Sequence, residues 1–415
     1  MPNFISDFLE YNSGTECHKN YLRWSAVAAI AMTAGLRYSL RQGRLLIRPN
    51  MYILLVGEQG VRKSYAKDQA RDILSETFED YPIGADITTR DDLVKFMAAD
   101  LTERAYTGVD GEASTFHPLA LFINEFKHFL SYNPVSMLSF IVDIFDRTDR
   151  VWQCSTIKRG QESITRPFLN ILACENTDWL ISRLKDGIIT GGLSRRFVVV
   201  YELEGTERVI PRPYLPSDSD AIWERMKNHL RRIQANSREY SWDDDAVKFF
   251  DAWYVKNKAN LPEDNILRGF MRTKDQMLLK LCIALDLAEE NPKYRITVEL
   301  LELALAWFGS IEPNMPKLYS SAGRNELAIV QQRLIELINQ RGGIISEKEL
   351  LKISGKDMSP FEQTQSMQFL IKTDQIIQKL FSYPEPNSPP RVWMITPNAL
   401  RENAKVRAAL NLSNQ

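Results

Sequence analysis

Cysteine is scarce: four residues in 415, Cys17, Cys154, Cys174 and Cys282, widely separated and with no CxxC pair. That spacing argues against a disulfide framework and a zinc ribbon, and the adjacent Cys17-His18 lacks the further ligands a metal would need. Long apolar runs are missing too. The most apolar early stretch, Ser25 to Leu36, is about a dozen residues, short of the roughly 20 a membrane-spanning helix requires, so no membrane partner is expected. Nor is there an excess of either charge. Lys plus Arg total 52 against 53 Asp plus Glu, a net of −1, so contact with nucleic acid would rest on local basic patches. The start, Met-Pro-Asn-Phe-Ile-Ser-Asp-Phe, has neither the basic region nor the small-residue cleavage pattern of an exported chain, so the cytoplasm is the expected compartment. Internal repeats and low-complexity tracts are absent.

What remains is an ordinary folding composition, 44% hydrophobic and 25% charged, in a chain long enough for two to three domains at about 150 residues each. Helical spacing runs from Phe4 to Leu36, with Phe4, Phe8 and Leu9 on one side, then Trp24, Val27, Ile30 and Ala31, as in two packed helices. A hairpin follows, Tyr38-Ser-Leu and Leu45-Leu-Ile around Arg41-Gln-Gly-Arg44. Next comes Tyr52-Ile-Leu-Leu-Val56, a fully apolar run of buried-strand length and β-branched character. Similar runs recur at Leu119–Ile123, ending in Asn124-Glu125; at Phe168–Cys174, ending in Glu175-Asn176-Thr177; and at Phe197–Tyr201. Alternation of such strands with helical segments predicts an α/β sheet with helices on both faces. Polar residues collect at the C-terminal ends of three strands, the edge where open parallel sheets bind ligands.

Beyond Pro211-Arg-Pro-Tyr-Leu-Pro216 the chain reads as helical near 218–236, 243–258, 270–290 and 297–309, which predicts an all-helical subdomain. Further on, helices over Glu326–Gln340, Glu347–Ile353 and within Ser359–Gln378 precede a hairpin with a proline-rich tip at Pro384 to Pro390, the order of a winged helix. From residue 325 onward the charges are 11 basic and 9 acidic, 11 − 9 = +2, which leaves DNA contact and a regulatory or protein-contact role both open for this part.

The chemistry lies after the first apolar strand. Triphosphate binding needs backbone N–H groups aimed inward from a glycine turn at a helix N-terminus, a lysine for the outer phosphates and a hydroxyl for Mg²⁺. Gly57-Glu58-Gln59-Gly60-Val61-Arg62-Lys63-Ser64, followed by a helix from Tyr65, supplies those parts in order, with Arg62 where the usual consensus has glycine. ATP with Mg²⁺ is therefore the expected ligand. Hydrolysis needs an acid near the metal and a carboxylate to activate water. Glu125 is the candidate base; Asn124 and Ser64 are the candidates to reach Mg²⁺, Asn124 through a metal-bound water and without the charge an aspartate would bring. Val151–Ile157 and Gln161–Arg166 flank Lys158-Arg159-Gly160 as a hairpin whose two cations could grip phosphates or simply be solvated. Gly191-Gly-Leu-Ser-Arg195-Arg196 leads into the fourth strand; an arginine there is either a solvated cation or a group that stabilises a phosphoryl transfer in a neighbouring subunit.

Four of these elements, in order, resemble the minichromosome maintenance (MCM) class of AAA+ helicases. Gly57 to Ser64 is similar to that family's phosphate loop, and Ile123-Asn-Glu-Phe-Lys127 to its Ile-Asp-Glu-Phe-Asp motif, apart from Asn124 and Lys127. Ile171-Leu-Ala-Cys-Glu-Asn176 is similar to its first sensor strand, which implies that Asn176 contacts the γ-phosphate or attacking water. Leu193-Ser-Arg-Arg196-Phe197 resembles its arginine-finger motif; of the pair Arg195 and Arg196, Arg196 is the choice. The resemblance places Lys158 and Arg159 at the tip of a DNA-gripping hairpin, a second hairpin within residues 83–118, and a second sensor arginine at Arg272.

As a whole it implies an AAA+ P-loop NTPase core with a parallel sheet over 41–210, after an N-terminal helical segment at 1–40. A helical lid over 211–315, a winged-helix domain over 324–397 and a tail helix at 398–415 complete the expectation. The resemblance is not expected to extend to the family's N-terminal oligonucleotide-binding domain, for which residues 1–40 are too short. The implied function is an ATP-driven, hexameric DNA helicase or translocase acting on single-stranded or forked DNA in replication of a phage or mobile element, with a possible accessory replication protein. The alternatives are an AAA+ switch that assembles on DNA as loader, initiator or recombination regulator without unwinding, and a phosphate-loop protein that remodels protein partners.

Overall fold

The computed structural model describes residues 3–156, 160–185, 192, 195–202, 210–262, 265–316, 318, 326–355, 360–381 and 391–396. The chain divides into two compact units, Met1–Ser321 and Ala322–Gln415.

The first unit is α/β. Its central sheet has the order Arg104–Thr107, Ala113–Ile123, Pro167–Asn176, Tyr52–Gly57, Phe197–Tyr201. The last four strands are mutually parallel, and Arg104–Thr107 joins as an antiparallel edge. Tyr52–Gly57 is buried at every position, as the unbroken apolar run requires of a strand covered on both faces. Pro167–Asn176 lies between Tyr52–Gly57 and Ala113–Ile123, so three strand ends stand side by side although 57 to 123 and 123 to 176 are long excursions in sequence. On the far side of Ala113–Ile123, Ile83 makes a single parallel bridge to Ala120. The hairpin expected within 83–118 is present: Arg104–Thr107 pairs with Ala113–Phe116.

Helix Lys19–Ala34 packs on helix Lys63–Thr77 and on Ser219–Ala235 and Asn265–Ala288. Its alanines let these neighbours close around it, so nearly every residue from Asn20 to Ala34 is buried. Helix Phe4–Tyr11 starts in a capping box on Asn3 and Ser6 and buries Phe4 and Phe8 in the same core.

The region after Pro216 departs from the all-helical expectation. Between helices lie two short strands, Arg238–Trp242 and Arg295–Ile296, which extend the Tyr38–Gln42/Leu45–Ile47 hairpin into a second sheet. Tyr38–Gln42 and Arg238–Trp242 pair in parallel across some 200 residues, Tyr38 opposite Arg238. Only Tyr240 of Arg238–Trp242 is fully buried, its hydroxyl donating to Asp286 Oδ2 at 2.9 Å. A short strand with one buried residue carries no periodic signal, so a distant partner decides its conformation.

The second unit is a small α/β arrangement. Helices Glu326–Gln340, Glu347–Ser354 and Pro360–Lys372 accompany an antiparallel sheet ordered Ile344–Ser346, Arg391–Ile395, Ile377–Phe381. Leu334, Ile338, Leu350, Leu370, Ile376 and Met394 form its core. The proline-rich tip and the tail helix at 398–415 lie outside the described residues.

Candidate functional site

Strand Tyr52–Gly57 runs into a loop and then helix Lys63–Thr77. Gly57 is demanded by close approach: a Cβ there would stand 2.4 Å from the Tyr21 hydroxyl and 3.2 Å from the Glu202 carbonyl. That hydroxyl donates to the Val56 carbonyl at 2.7 Å, so helix Lys19–Ala34 braces the strand end from behind. Gly60 is demanded by its backbone, at φ +86. Arg62, standing where the usual motif has glycine, still adopts left-handed backbone, φ 60 and ψ 28, a conformation that costs a non-glycine residue about 1–2 kcal/mol. Its guanidinium is held by Glu16 Oε2 at 2.9 Å, and Glu16 Oε1 accepts the Ile210 N–H at 2.8 Å. Segment 12–16 thus clamps the loop, helped by Tyr65, whose hydroxyl donates to Asn12 Oδ1 at 2.8 Å.

The helix that follows has no side-chain N-cap. Its first N–H groups and the positive end of its dipole face a cleft of ≈ 470 Å³ lined by Gln59, Gly60, Arg62, Lys63, Ser64, Asn124, Glu125, Cys174, Glu175 and Asn176. Lys63 is 7% exposed, and Nζ donates to the Gly57 carbonyl at 2.8 Å. Burial pushes its amine below the ordinary range, against the pull of Cys174, Glu175 and Glu58. Ser64 and Asn124 are exposed to the cleft and make no side-chain hydrogen bond among the described residues. Among the described residues no group of three or more His, Cys, Asp or Glu could hold a metal. A hydroxyl and an amide facing one cleft fit an ion carried in by a polyphosphate and keeping most of its water, the usual condition of Mg²⁺.

Across the cleft, Glu125 forms an ion pair with Lys127, Nζ to Oε2 2.7 Å, and lies 3.4 Å from His128 Nδ1. The hydrogen bond from Lys127 holds its carboxyl below the ordinary range. Asn176 ends its strand opposite Gly57. Beside it, Glu175 is 1% exposed and accepts two backbone N–H groups, Lys127 on Oε2 and Asn176 on Oε1, each at 2.7 Å. Burial raises its pKa, and the two N–H donors oppose the rise. Glu175 ties the turn that carries Glu125 to the strand end that carries Asn176, a role sequence reading did not assign. Its one signal is an acid near the end of a strand that is apolar from Ile171 to Cys174. Glu175→Gln places an amide nitrogen where an acceptor is needed. One buried N–H loses its partner, and a loss of about 1–3 kcal/mol in stability is expected in urea unfolding. An unchanged midpoint would show that water takes over that contact.

The structure therefore gathers Gln59, Gly60, Arg62, Lys63, Ser64, Asn124, Glu125 and Asn176 around one cleft. Gly57, Glu58, Val61 and Tyr65 belong to the same loop and helix start but not to its lining; the Glu58 carbonyl accepts from Lys63 Nζ.

Arg196 and Arg272 lie elsewhere. Arg196 precedes Phe197, which is paired with Tyr52 at the start of the strand that leads into the glycine loop. At about 3.3 Å per residue that is roughly 17 Å or more from the loop, at the opposite edge of the sheet. Its guanidinium is ion-paired with Asp146 and donates to the Gly192 carbonyl at 2.7 Å. Together with Arg195, Arg48 and Lys280 it lines a second cleft of ≈ 300 Å³. Arg272 is exposed, and its neighbour Thr273 donates to the Arg195 carbonyl at 2.9 Å, which groups Arg272 with this second edge. Lys158 and Arg159 lie outside the described residues; the hairpin arms Val151–Thr156 and Gly160–Thr165 pair in register up to Thr156 opposite Gly160. No helix among the described residues is long and apolar enough to cross a membrane.

No protein-family model matches the chain, and no curated protein matches its sequence.

Proposed function

We propose that this protein is an ATP hydrolase of the MCM-like AAA+ type, built to work as a ring of identical subunits, with a hexamer the expected number, that moves along single-stranded DNA. The observation that carries this reading is the meeting of Lys63, Ser64, Asn124, Glu125 and Asn176 in one cleft at the C-terminal edge of a parallel sheet. Strand Pro167–Asn176, set between the loop strand and the strand ending before Glu125, brings Asn176 between the glycine loop and Glu125, which supports this reading.

In this mechanism the uncapped helix end and Lys63 bind the β- and γ-phosphates, while Ser64 and Asn124 reach Mg²⁺. When bound, Mg²⁺ supplies charge neutralisation on the phosphate oxygens. Glu125 accepts the proton of the attacking water, and the Asn176 amide orients that water toward the γ-phosphorus. A second copy brings Arg196, because one chain holds that residue at the wrong edge for its own cleft. The basic hairpin tip carrying Lys158 and Arg159 grips the DNA backbone without reading bases. The second unit's order of helix, strand, two helices and hairpin suits a winged helix, serving DNA or protein contact.

A second reading is favoured by two observations. Asn124 brings no charge to the metal, and Glu125 is tied up by Lys127. Both suit a slow switch that assembles on DNA without unwinding it. Steady-state ATP hydrolysis with and without single-stranded DNA, paired with strand displacement, separates the two. DNA-stimulated hydrolysis with unwinding supports the motor; nucleotide-dependent assembly without unwinding supports the switch; hydrolysis indifferent to DNA removes both.

A further inference from the structure

Position 127 is where the chain departs most in charge from the motif it resembles, since it places a lysine two residues beyond the general base. The side chain makes use of that position. Lys127 Nζ stands 2.7 Å from Glu125 Oε2, with side-chain exposures of 33% and 42%. Its backbone N–H is committed separately, to Glu175 Oε2 at 2.7 Å. The main chain of Lys127 is thus fixed by a buried carboxylate while its ammonium is spent on the catalytic one.

We propose that Lys127 is a positioning residue that restrains the Glu125 carboxylate at the rim of the cleft and slows hydrolysis until the ion pair opens. The inference rests on the reading of the cleft as an ATP-hydrolysing site. An exposed ion pair is weak and exchanges readily, so it can act as a brake without locking the site. A carboxylate neutralised by an ammonium is also a poorer base, and general-base efficiency follows basicity. The other charged groups facing the pair do not replace Lys127. His128 is at 3.4 Å and charged only when protonated. Glu175, from the neighbouring strand, repels Glu125, and Lys63 and Arg62 across the cleft are bound to the loop carbonyls and to Glu16.

The test uses the full chain and Lys127→Met, which removes the ammonium and leaves the backbone N–H on Glu175 in place. DNA-free steady-state ATP hydrolysis is measured for wild type, Lys127→Met and Lys127→Arg, with kcat and KM read separately. In Lys127→Met kcat is expected to rise about two- to fivefold with KM unchanged. Lys127→Arg, which keeps a cation beside Glu125, is expected to restore the wild-type kcat. An unchanged or lower kcat in Lys127→Met, or a change confined to KM, overturns the brake while Lys63-dependent hydrolysis leaves the ATPase reading standing. Absence of any Lys63-dependent hydrolysis in both proteins overturns that reading and the brake together.

Discussion

Lys63→Ala is expected to remove ATP hydrolysis, at least about 10²-fold, while leaving the fold intact. Among the described residues Lys63 is the one ammonium lining the cleft, and it is held there at a cost, since burial disfavours its charge. Its hydrogen bonds go to carbonyls of its own loop, Gly57 and Glu58, and not to another element. Losing it therefore removes a charge-assisted contact to phosphate, worth about 1.5–3 kcal/mol in binding, without unfastening anything structural. Fluorescent ATP-analogue titration and a phosphate-release assay check the two halves. Retained tight binding with retained hydrolysis would mean that the loop's backbone N–H groups carry the phosphates alone.

The second large effect concerns Lys280, in the cleft at the other edge of the sheet. It is 5% exposed, donates to the Arg48 carbonyl at 2.9 Å, and lies 4.5 Å from the centre of the Phe145 ring. Burial pushes its amine down to about 7, with Asp146 and Asp149 opposing and Arg196 adding to the fall. The unfolded chain keeps this amine protonated up to its ordinary value, so between those two values the unfolded state binds more protons than the folded one. Stability then rises with pH from about 7 upward, and below about 7 the full cost of a buried charge is present. Lys280→Met removes that slope. The difference in unfolding free energy between wild type and variant is expected to change by roughly 1–2 kcal/mol in favour of wild type between pH 7 and pH 9. Urea unfolding at pH 7, 8 and 9 measures it. Parallel profiles for the two proteins would mean that Lys280 stays charged in the fold.

Several features were legible because they are local. An all-apolar run such as Tyr52 to Val56 can only be a strand or helix covered on both sides, and the glycines and lysine that follow have one familiar use at a helix N-terminus. Glu125 and Asn176 were legible for the same reason, each a polar residue closing an apolar run. Lys127 showed only as a departure in charge, and Glu175 as an acid with no evident task, because their roles depend on a strand and a turn some 50 residues apart. Arg238–Trp242 and Arg295–Ile296 left no trace in the periodicity, since their pairing comes from distant segments and each buries a single residue.

By itself, then, the sequence determined which segments must be buried, where the glycine loop between strand and helix lies, and which polar residues end up at strand ends; these follow from hydrophobic burial and from the backbone freedom of Gly57 and Gly60. Tertiary structure alone decided that Asn176 stands between the loop and Glu125, that Glu16 and Tyr21 brace the loop, that Lys127 pairs with Glu125, and that Arg196 faces the opposite edge. Strand order is set by packing between segments far apart in the chain, and no local pattern encodes it.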